Sequence, residues 1–492
     1  MKRLIFYLCG IVCLTLPPAC SNEIHISRNL DEEVSIFPDY KEVTIPVNIA
    51  PLDFSVLNAG GSETALRIEG GPTRIVVKGD DDCFVIPQRK WKKLLEQRQG
   101  DSIRLTVCKK IEGAWCAFKP FTMRVAADKA DKYVAYRLIP PGYGLWNKMG
   151  IYQRDVETYR QSPIYENKLT DFNCVNCHAF RMQHPDRMVF HMRSKYGGTV
   201  HIDRGKIEKL NTKTERTISS LVYPYWHPEG DYIAFSTNKT AQSFFSNHIN
   251  RIEVFDSASD VVVYDVRTHQ IISSPLLMDK DAFETFPAFS PDGKSLYFCR
   301  ARAVAPMPNR YKEVHYNLCR IDFDAASGTF GTKIDTVYHA ACDSMSVSFP
   351  RISPDGKYLA FTRHHFGNFS IWHKEADLYM IDLTNGRAYP LDEANSEDVD
   401  SYHSWSRNGR WLVFSSRRVD GLYTRLFFTY IDAGGKAHKP FMLPQKNPKK
   451  YYNDLLFSYN IPEFVTDKVK IDRHAVAKEM REAKGIDVTY KE

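Results

Sequence analysis

The sequence predicts a mainly β chain in which a β-propeller follows a small β-sandwich-like domain. Three observations predict this class. One tight turn recurs four times between residues 224 and 414, strands of alternating apolar and polar residues flank it, and only two short segments have a helical pattern. The 492 residues also exceed what one core usually holds, so we expect more than one domain.

Composition narrows the class of protein further. Hydrophobic residues make up 43% of the chain and charged residues 25%, which is ordinary for a soluble globular protein. These values exclude a mostly disordered chain and a polytopic membrane protein. The formal net charge of +7 is spread along the chain rather than blocked, so we expect no nucleic-acid partner.

The first residues have the pattern of an export signal. Two basic residues precede an apolar run (4–16) that is too short to span a bilayer. The run ends before a small residue and Cys20, which resembles the lipobox of bacterial lipoproteins. This predicts a signal peptide (1–19), a lipid on Cys20 as the sole membrane anchor, and a polar tether (20–40). Simple secretion with cleavage near Ala19 is the alternative. We expect the protein in the outer membrane, facing the periplasm.

Eight cysteines follow the lipidation site, in a compartment that permits disulfides. Cys108 and Cys116 flank a hairpin-like stretch, and the pattern places Cys299 and Cys319 on neighbouring strands. Spacing alone does not fix the pairing, and some of these thiols are expected to be free and buried.

The segment 41–140 predicts the β-sandwich-like domain. Its apolar residues alternate with polar ones in 41–47, 66–77 and 102–107, as in half-buried strands. One helix begins at Pro87 and places its apolar residues on one face. A connector rich in aromatic residues (141–195) is expected to follow.

A repeat accounts for most of the remaining chain. Its turn glycines, Gly230, Gly293, Gly356 and Gly409, are 63, 63 and 53 residues apart. A short strand precedes each turn and a strand of period two follows it, and three of the four copies continue into a further strand. Strand–turn–strand units at such periods are typical of propeller blades.

The motif Ser-Pro-Asp-Gly-Lys followed by an apolar-x-Phe strand resembles the TolB-type propeller repeat, over about 222–443. The resemblance implies six blades within 196–466, two of them from the weaker segments 188–210 and 455–466, with a strand supplied from elsewhere if the ring is to close. It also implies docking of envelope proteins. The tail (467–492) is expected to hold a short charged helix.

One motif carries chemistry. Cys174-Val175-Asn176-Cys177-His178 has the C-x-x-C-H spacing of covalent haem c attachment, in which both thiols bind the porphyrin and the histidine binds the iron. His191 or Met188 is the expected second axial ligand. A local disulfide or dithiol and half of a zinc site are the alternatives.

Further candidates lie in the last repeats. Some TolB-like propellers are lyases that hold a metal through histidine, so His373 and His403 mark a possible ligand site. Arg417, Arg418 and Arg425 belong to a cationic stretch that would suit an anionic ligand or form a solvated loop. The sequence has no G-x-S-x-G elbow and no P-loop, which disfavours a serine peptidase and a nucleotide enzyme.

These patterns together predict an envelope lipoprotein whose propeller is a scaffold for a protein or ligand and whose single haem c exchanges electrons with a redox partner. A pure interaction module, with structural Cys174 and Cys177, is the second hypothesis. The third is an enzyme, either a haem enzyme with an open iron site or a metal-dependent polysaccharide lyase. An enzyme is the less favoured reading.

Overall fold

The computed structural model describes residues 24–141 and 148–491. The predicted signal peptide (1–19) and the lipidation site Cys20 lie outside the described residues. Within them, no helix combines the length and the apolar character needed to cross a bilayer.

The N-terminal part contains ten strands and one helix. These are β1 (Ile26–Glu33), β2 (Ile36–Phe37), β3 (Thr44–Pro46), β4 (Phe54–Val56), β5 (Thr64–Gly70), β6 (Thr73–Lys78), β7 (Cys83–Phe84), α1 (Gln88–Gln97), β8 (Ser102–Ile111), β9 (Ala114–Lys119) and β10 (Phe121–Ala126).

These strands form a seven-stranded sheet, in which β5 and β6 extend from β8 beside the order β1-β9-β8-β10-β3, and a three-stranded sheet, β2-β4-β7. Helix α1 buries Trp91, Leu94 and Leu95, and the Trp91 indole donates to the Ile49 carbonyl at 3.1 Å. Strand β1 lies inside the predicted tether (20–40). It is ordered because it pairs in parallel with β9.

The middle of the chain is a run of 23 strands. These are β11 (Tyr133–Ile139), β12 (Gly150–Asp155), β13 (Gln161–Glu166), β14 (Val175–Phe180), β15 (Arg187–Met192), β16 (Gly198–Asp203), β17 (Lys206–Asn211), β18 (Val222–Trp226), β19 (Tyr232–Phe244), β20 (Ile252–Asp265), β21 (Gln270–Ile272), β22 (Ala282–Phe289), β23 (Ser295–Arg302), β24 (Asn317–Asp324), β25 (Thr329–Tyr338), β26 (Ser346–Ile352), β27 (Tyr358–His364), β28 (Asp377–Asp382), β29 (Arg387–Pro390), β30 (Asp400–Trp405), β31 (Trp411–Ser416), β32 (Arg425–Tyr430) and β33 (Phe441–Met442). The C-terminal part adds α2 (Pro448–Asp454), β34 (Ser458–Val465), α3 (Arg473–Glu482), β35 (Ile486–Asp487) and β36 (Thr489–Tyr490).

The strands β11–β36 build six sheets of four or five strands. Sheet 1 has the order β34-β11-β12-β13, sheet 2 is β14-β15-β16-β17-β35, and sheet 3 is β18-β19-β20-β21-β36. Sheets 4, 5 and 6 are β22–β25, β26–β29 and β30–β33. Apart from the parallel end strands β35 and β36, neighbouring strands in these sheets are antiparallel.

We call the strand that begins each of the orders above the first strand of its sheet, which is β34 in sheet 1 and β14, β18, β22, β26 and β30 in sheets 2–6. These first strands contact one another in succession. Strand β14 contacts β18, β18 contacts β22, β22 contacts β26, β26 contacts β30, β30 contacts β34, and β34 contacts β14 again.

The expected connector (141–195) contains strands of sheets 1 and 2. It is not a connector because its alternating apolar residues, such as Met188, Phe190 and Met192, are buried in a core that sheets 1 and 2 share.

The eight described cysteines are all free thiols. Cys299 and Cys319 lie on the neighbouring strands β23 and β24, and Cys108 and Cys116 on β8 and β9.

The cores of the N-terminal part and of sheet 6 are continuous, with Trp91 and Trp411 in one cluster of buried side chains.

Candidate functional site

A cavity of about 110 Å³ lies among the first strands of the six sheets, and we call it the central cavity. Each first strand contributes one residue with a left-handed backbone, at φ between 50° and 55°. These six residues all line the cavity, and they are Cys177, Tyr223, Phe286, Phe349, Tyr402 and Ile461.

Each of these residues lies at a register shift, as in a β-bulge, in the pairing of its strand. A left-handed non-glycine residue costs roughly 1–2 kcal/mol. Bulges of this kind re-aim side chains, and their repetition in six strands directs one residue from every sheet toward the cavity.

The C-x-x-C-H motif occupies this same position in sheet 2. Cys177 is the left-handed residue, and His178 corresponds to the proline that follows it in four other strands (Pro224, Pro287, Pro350 and Pro462). In sheet 6 the corresponding residue is His403. The motif is therefore the first strand of a repeat, which the sequence conceals because this copy lacks both the proline and the Asp-Gly turn.

The ionisable lining of the cavity includes His178, His403, Glu463 and Arg351, and Gln183, Ser290 and Ser404 are further polar residues of the wall. Both histidines are almost fully buried, and none of their ring nitrogens makes a well-aligned hydrogen bond with the described residues. Backbone groups nevertheless lie close enough to act on the rings, from Ile461 on His178 and from Ala360 and Phe349 on His403. Burial lowers the pKa of each to about 3, so both imidazoles are neutral at pH 7. Each neutral ring has one donor and one acceptor to offer.

Glu463 and Arg351 were not predicted as site residues. Burial raises the pKa of Glu463 to about 8, and its carboxyl accepts a hydrogen bond from the Phe180 amide at 3.0 Å. Burial also lowers the pKa of Arg351, whose guanidinium lies 5.1 Å from the Tyr225 ring. Aligning the six first strands would have identified both positions, because each lies two residues after a left-handed residue.

The residues around the motif do not fit a covalent haem. Pockets for drug-sized ligands measure about 300–1,000 Å³, and a porphyrin needs at least such a space, whereas the central cavity is about 110 Å³. The expected axial partners do not face His178 across it. His191 is hydrogen-bonded to Thr199 at 3.2 Å, and Met188 is packed in the core of sheets 1 and 2. Haem attachment stays a sequence prediction, and no electron-transfer step is derived from it.

The other predicted ligand residues do not form one site with the cavity. His373 lies outside it and is held by Glu253 at 3.0 Å, an interaction that helps raise the pKa of His373 to about 9 against the opposing effect of burial. Arg418 is paired with Asp400 at 2.6 Å. Arg425 donates to three backbone carbonyls, so its role is structural. Only His403 lines the central cavity, and Arg417 is described below.

No three His, Cys, Asp or Glu side chains are grouped as metal ligands within residues 24–141 and 148–491. The metal-dependent lyase therefore remains a hypothesis from the sequence alone.

Comparison with known proteins gives distant similarities. No protein-family profile matches the chain. Dipeptidyl-peptidase 5 of Porphyromonas gingivalis is 23% identical over 215 residues, which cover 38% of this chain and 29% of the peptidase. The chain thus spans less than a third of that curated relative.

Two solved structures are also distantly similar to this chain. A putative 6-phosphogluconolactonase from Bacteroides fragilis has 12% identity and a TM-score of 0.31, covering 64% of this chain and 96% of its own. Prolyl oligopeptidase B from Galerina marginata has 12% identity and a TM-score of 0.35, covering 63% and 44%. These similarities are too distant to assign an activity.

Proposed function

We propose that the chain is an exported, lipid-anchored binding protein of a bacterial envelope, built on a six-bladed TolB-like propeller. The cyclic contacts between the first strands of the six sheets support the six blades, with sheet 1 completed by β34 from the C-terminal part. Export and lipidation rest on the sequence of residues 1–20.

The observation that carries the binding role is the pair of neutral imidazoles in the central cavity that lack well-aligned hydrogen bonds. Buried polar groups are almost always hydrogen-bonded, so His178 and His403 are suited to a ligand that supplies the missing partners. Apolar, aromatic and proline side chains form most of the remaining wall. A volume of about 110 Å³ admits one small group, such as the end of a side chain.

The charges disfavour a cationic ligand group, and the neutral imidazoles offer both a donor and an acceptor to a neutral one. At pH 7 the two histidines are neutral and Glu463 is mostly protonated, because its pKa is about 8. The guanidinium of Arg351 repels a cation and attracts a carbonyl oxygen. A carboxamide satisfies these conditions, so we propose that a protein partner inserts a Gln or Asn side chain into the cavity.

The test measures binding of three short peptides that differ in one central residue, Gln, norleucine or Lys. We expect the Gln peptide to bind at least tenfold more tightly than the other two. His178→Pro should abolish this preference while preserving the fold, because proline occupies the corresponding position in four strands. His25→Ala, at an exposed site, is the control. Equal binding of the Gln and norleucine peptides would refute the carboxamide site.

The haem prediction needs its own measurement. The mature protein should be produced with haem-attachment machinery, and its intact mass and reduced visible spectrum recorded. The packing around Cys177 leads us to expect the mass of the chain without haem. A gain of roughly 616 Da with a band near 550 nm would establish covalent haem instead.

A further inference from the structure

Arg417 lies at the end of the six sheets opposite to the repeated turns. The Gly409 turn begins β31, and Arg417 directly follows the last residue of that strand, Ser416. It therefore belongs to the loops at the far end, together with Trp372 and with Arg251 from the loop between β19 and β20. This location separates it from the turns next to the central cavity.

Arg417 is a buried cation without a hydrogen-bonding partner. Arg417 is 4% exposed, and its Nε atom is buried and makes no hydrogen bond. Across residues 24–141 and 148–491, no acceptor or carboxylate forms a hydrogen bond or ion pair with its guanidinium. The neighbouring Arg418 and the nearby Arg425 both have such partners. Burial lowers the pKa of Arg417 to about 9, which still leaves it charged at pH 7.

Stacking holds the guanidinium in place. Its central carbon lies 3.2 Å from the centroid of the Trp372 ring. Such stacking orients the planar fork of an arginine without using any of its N–H donors. The donors thus remain available in a fixed plane, and a buried charge that no carboxylate contacts directly is costly.

We propose that Arg417, supported by Trp372, binds the carboxylate of a ligand. A guanidinium matches a carboxylate through two parallel hydrogen bonds. Arg251 adds positive charge nearby, whereas Asp398 and Asp420 lie close enough to act on the charge of Arg417. These two acids repel a dianion about twice as strongly as a monoanion, so the site suits a singly charged carboxylate better than a phosphate.

A carboxylate can come from the end of a peptide or from an acidic sugar, and the experiment separates the two. Isothermal titration calorimetry on the mature protein would compare N-acetylglycine with N-acetylglycinamide, and glucuronate with glucose. We expect at least one acid to bind tenfold or more tightly than its neutral counterpart. If neither acid binds better than its neutral counterpart, the proposal is overturned, and this comparison needs no variant.

Variants then assign the binding to the residue. Arg417→Met should weaken binding of the acid at least tenfold, while Arg387→Met, at an exposed position of β29, should leave it unchanged. His178→Pro should also leave it unchanged, which distinguishes this site from the central cavity. Acid binding that survives Arg417→Met would contradict the assignment.

Thermal unfolding distinguishes a binding arginine from a structural one. Because Arg417→Met removes an unpaired buried charge, we expect the melting temperature to stay the same or to rise. A lower melting temperature would show that Arg417 supports the fold, and it would overturn the proposal.

Discussion

Glu463 in the central cavity makes the stability of the fold depend on pH, and this dependence can be measured. The fold raises its pKa from 4.5 to about 8, mainly by burial. Between these two pH values the folded chain keeps a proton that the unfolded chain has released. The stability of the fold therefore decreases as pH rises through this range, and it levels off above pH 8.

The magnitude follows from the pKa difference. Each pH unit between 4.5 and 8 is worth about 1.4 kcal/mol, so the upper limit is about 5 kcal/mol. The surroundings of a buried group relax when it ionises, which reduces the penalty, and we expect about 2 kcal/mol or more. For cooperative unfolding of 492 residues, the entropy of about 1 kcal/mol per kelvin converts this range to roughly 2–5 °C.

The change that tests this reasoning is Glu463→Gln, because an amide still accepts the hydrogen bond from Phe180 but does not ionise. Melting temperatures of both proteins should be recorded from pH 5 to pH 8.5. We expect the variant to gain stability relative to the natural protein as pH rises. Other buried carboxyls affect both proteins equally, so the difference isolates Glu463. A difference that stays constant across the range would refute the reasoning.

Three further changes test the packing and the charges. Gly293→Ala should lower the melting temperature more than Gly356→Ala; both have positive φ, but a Cβ at Gly293 would lie 2.2 Å from the His227 ring, whereas Gly356 faces open space. Arg425→Met should destabilise the fold by about 3 kcal/mol in urea unfolding, since it leaves three carbonyls without donors; an unchanged midpoint would contradict this. His373→Gln should lower the melting temperature most below pH 6.5 and progressively less up to about pH 9, because the raised pKa of His373 means that only its protonated form stabilises the fold. A loss of melting temperature that does not depend on pH would show that the charge of His373 is irrelevant to stability.

The repeated turns were predictable from the sequence because their chemistry is local. A glycine with positive φ occupies the turn in three of the four copies, at Gly293, Gly356 and Gly409, as such turns require. A short charged helix was predicted in the tail (467–492), and α3 (Arg473–Glu482) lies there. Each of these features depends on a few neighbouring residues.

The site was less predictable because it depends on contacts between distant segments. Strand β34 pairs with β11, more than three hundred residues earlier, and no local pattern states this pairing. The spacing of Cys174, Cys177 and His178 predicts haem attachment when this strand is considered without the other five. Comparison with the five other first strands shows that Cys177 shares a backbone geometry with Tyr223 and Tyr402. That equivalence appears only when the bulges are superimposed.

The origin of β34 has a consequence for biogenesis. During synthesis β11–β13 leave the ribosome early, whereas Ser458–Val465 follow only after the strands of sheets 2–6 up to β33 have been made. Until then the inner edge of sheet 1 has unpaired backbone groups, which are a template for aggregation. Translation products that stop before residue 458 would never cover this edge, because β34 is the strand that pairs with β11.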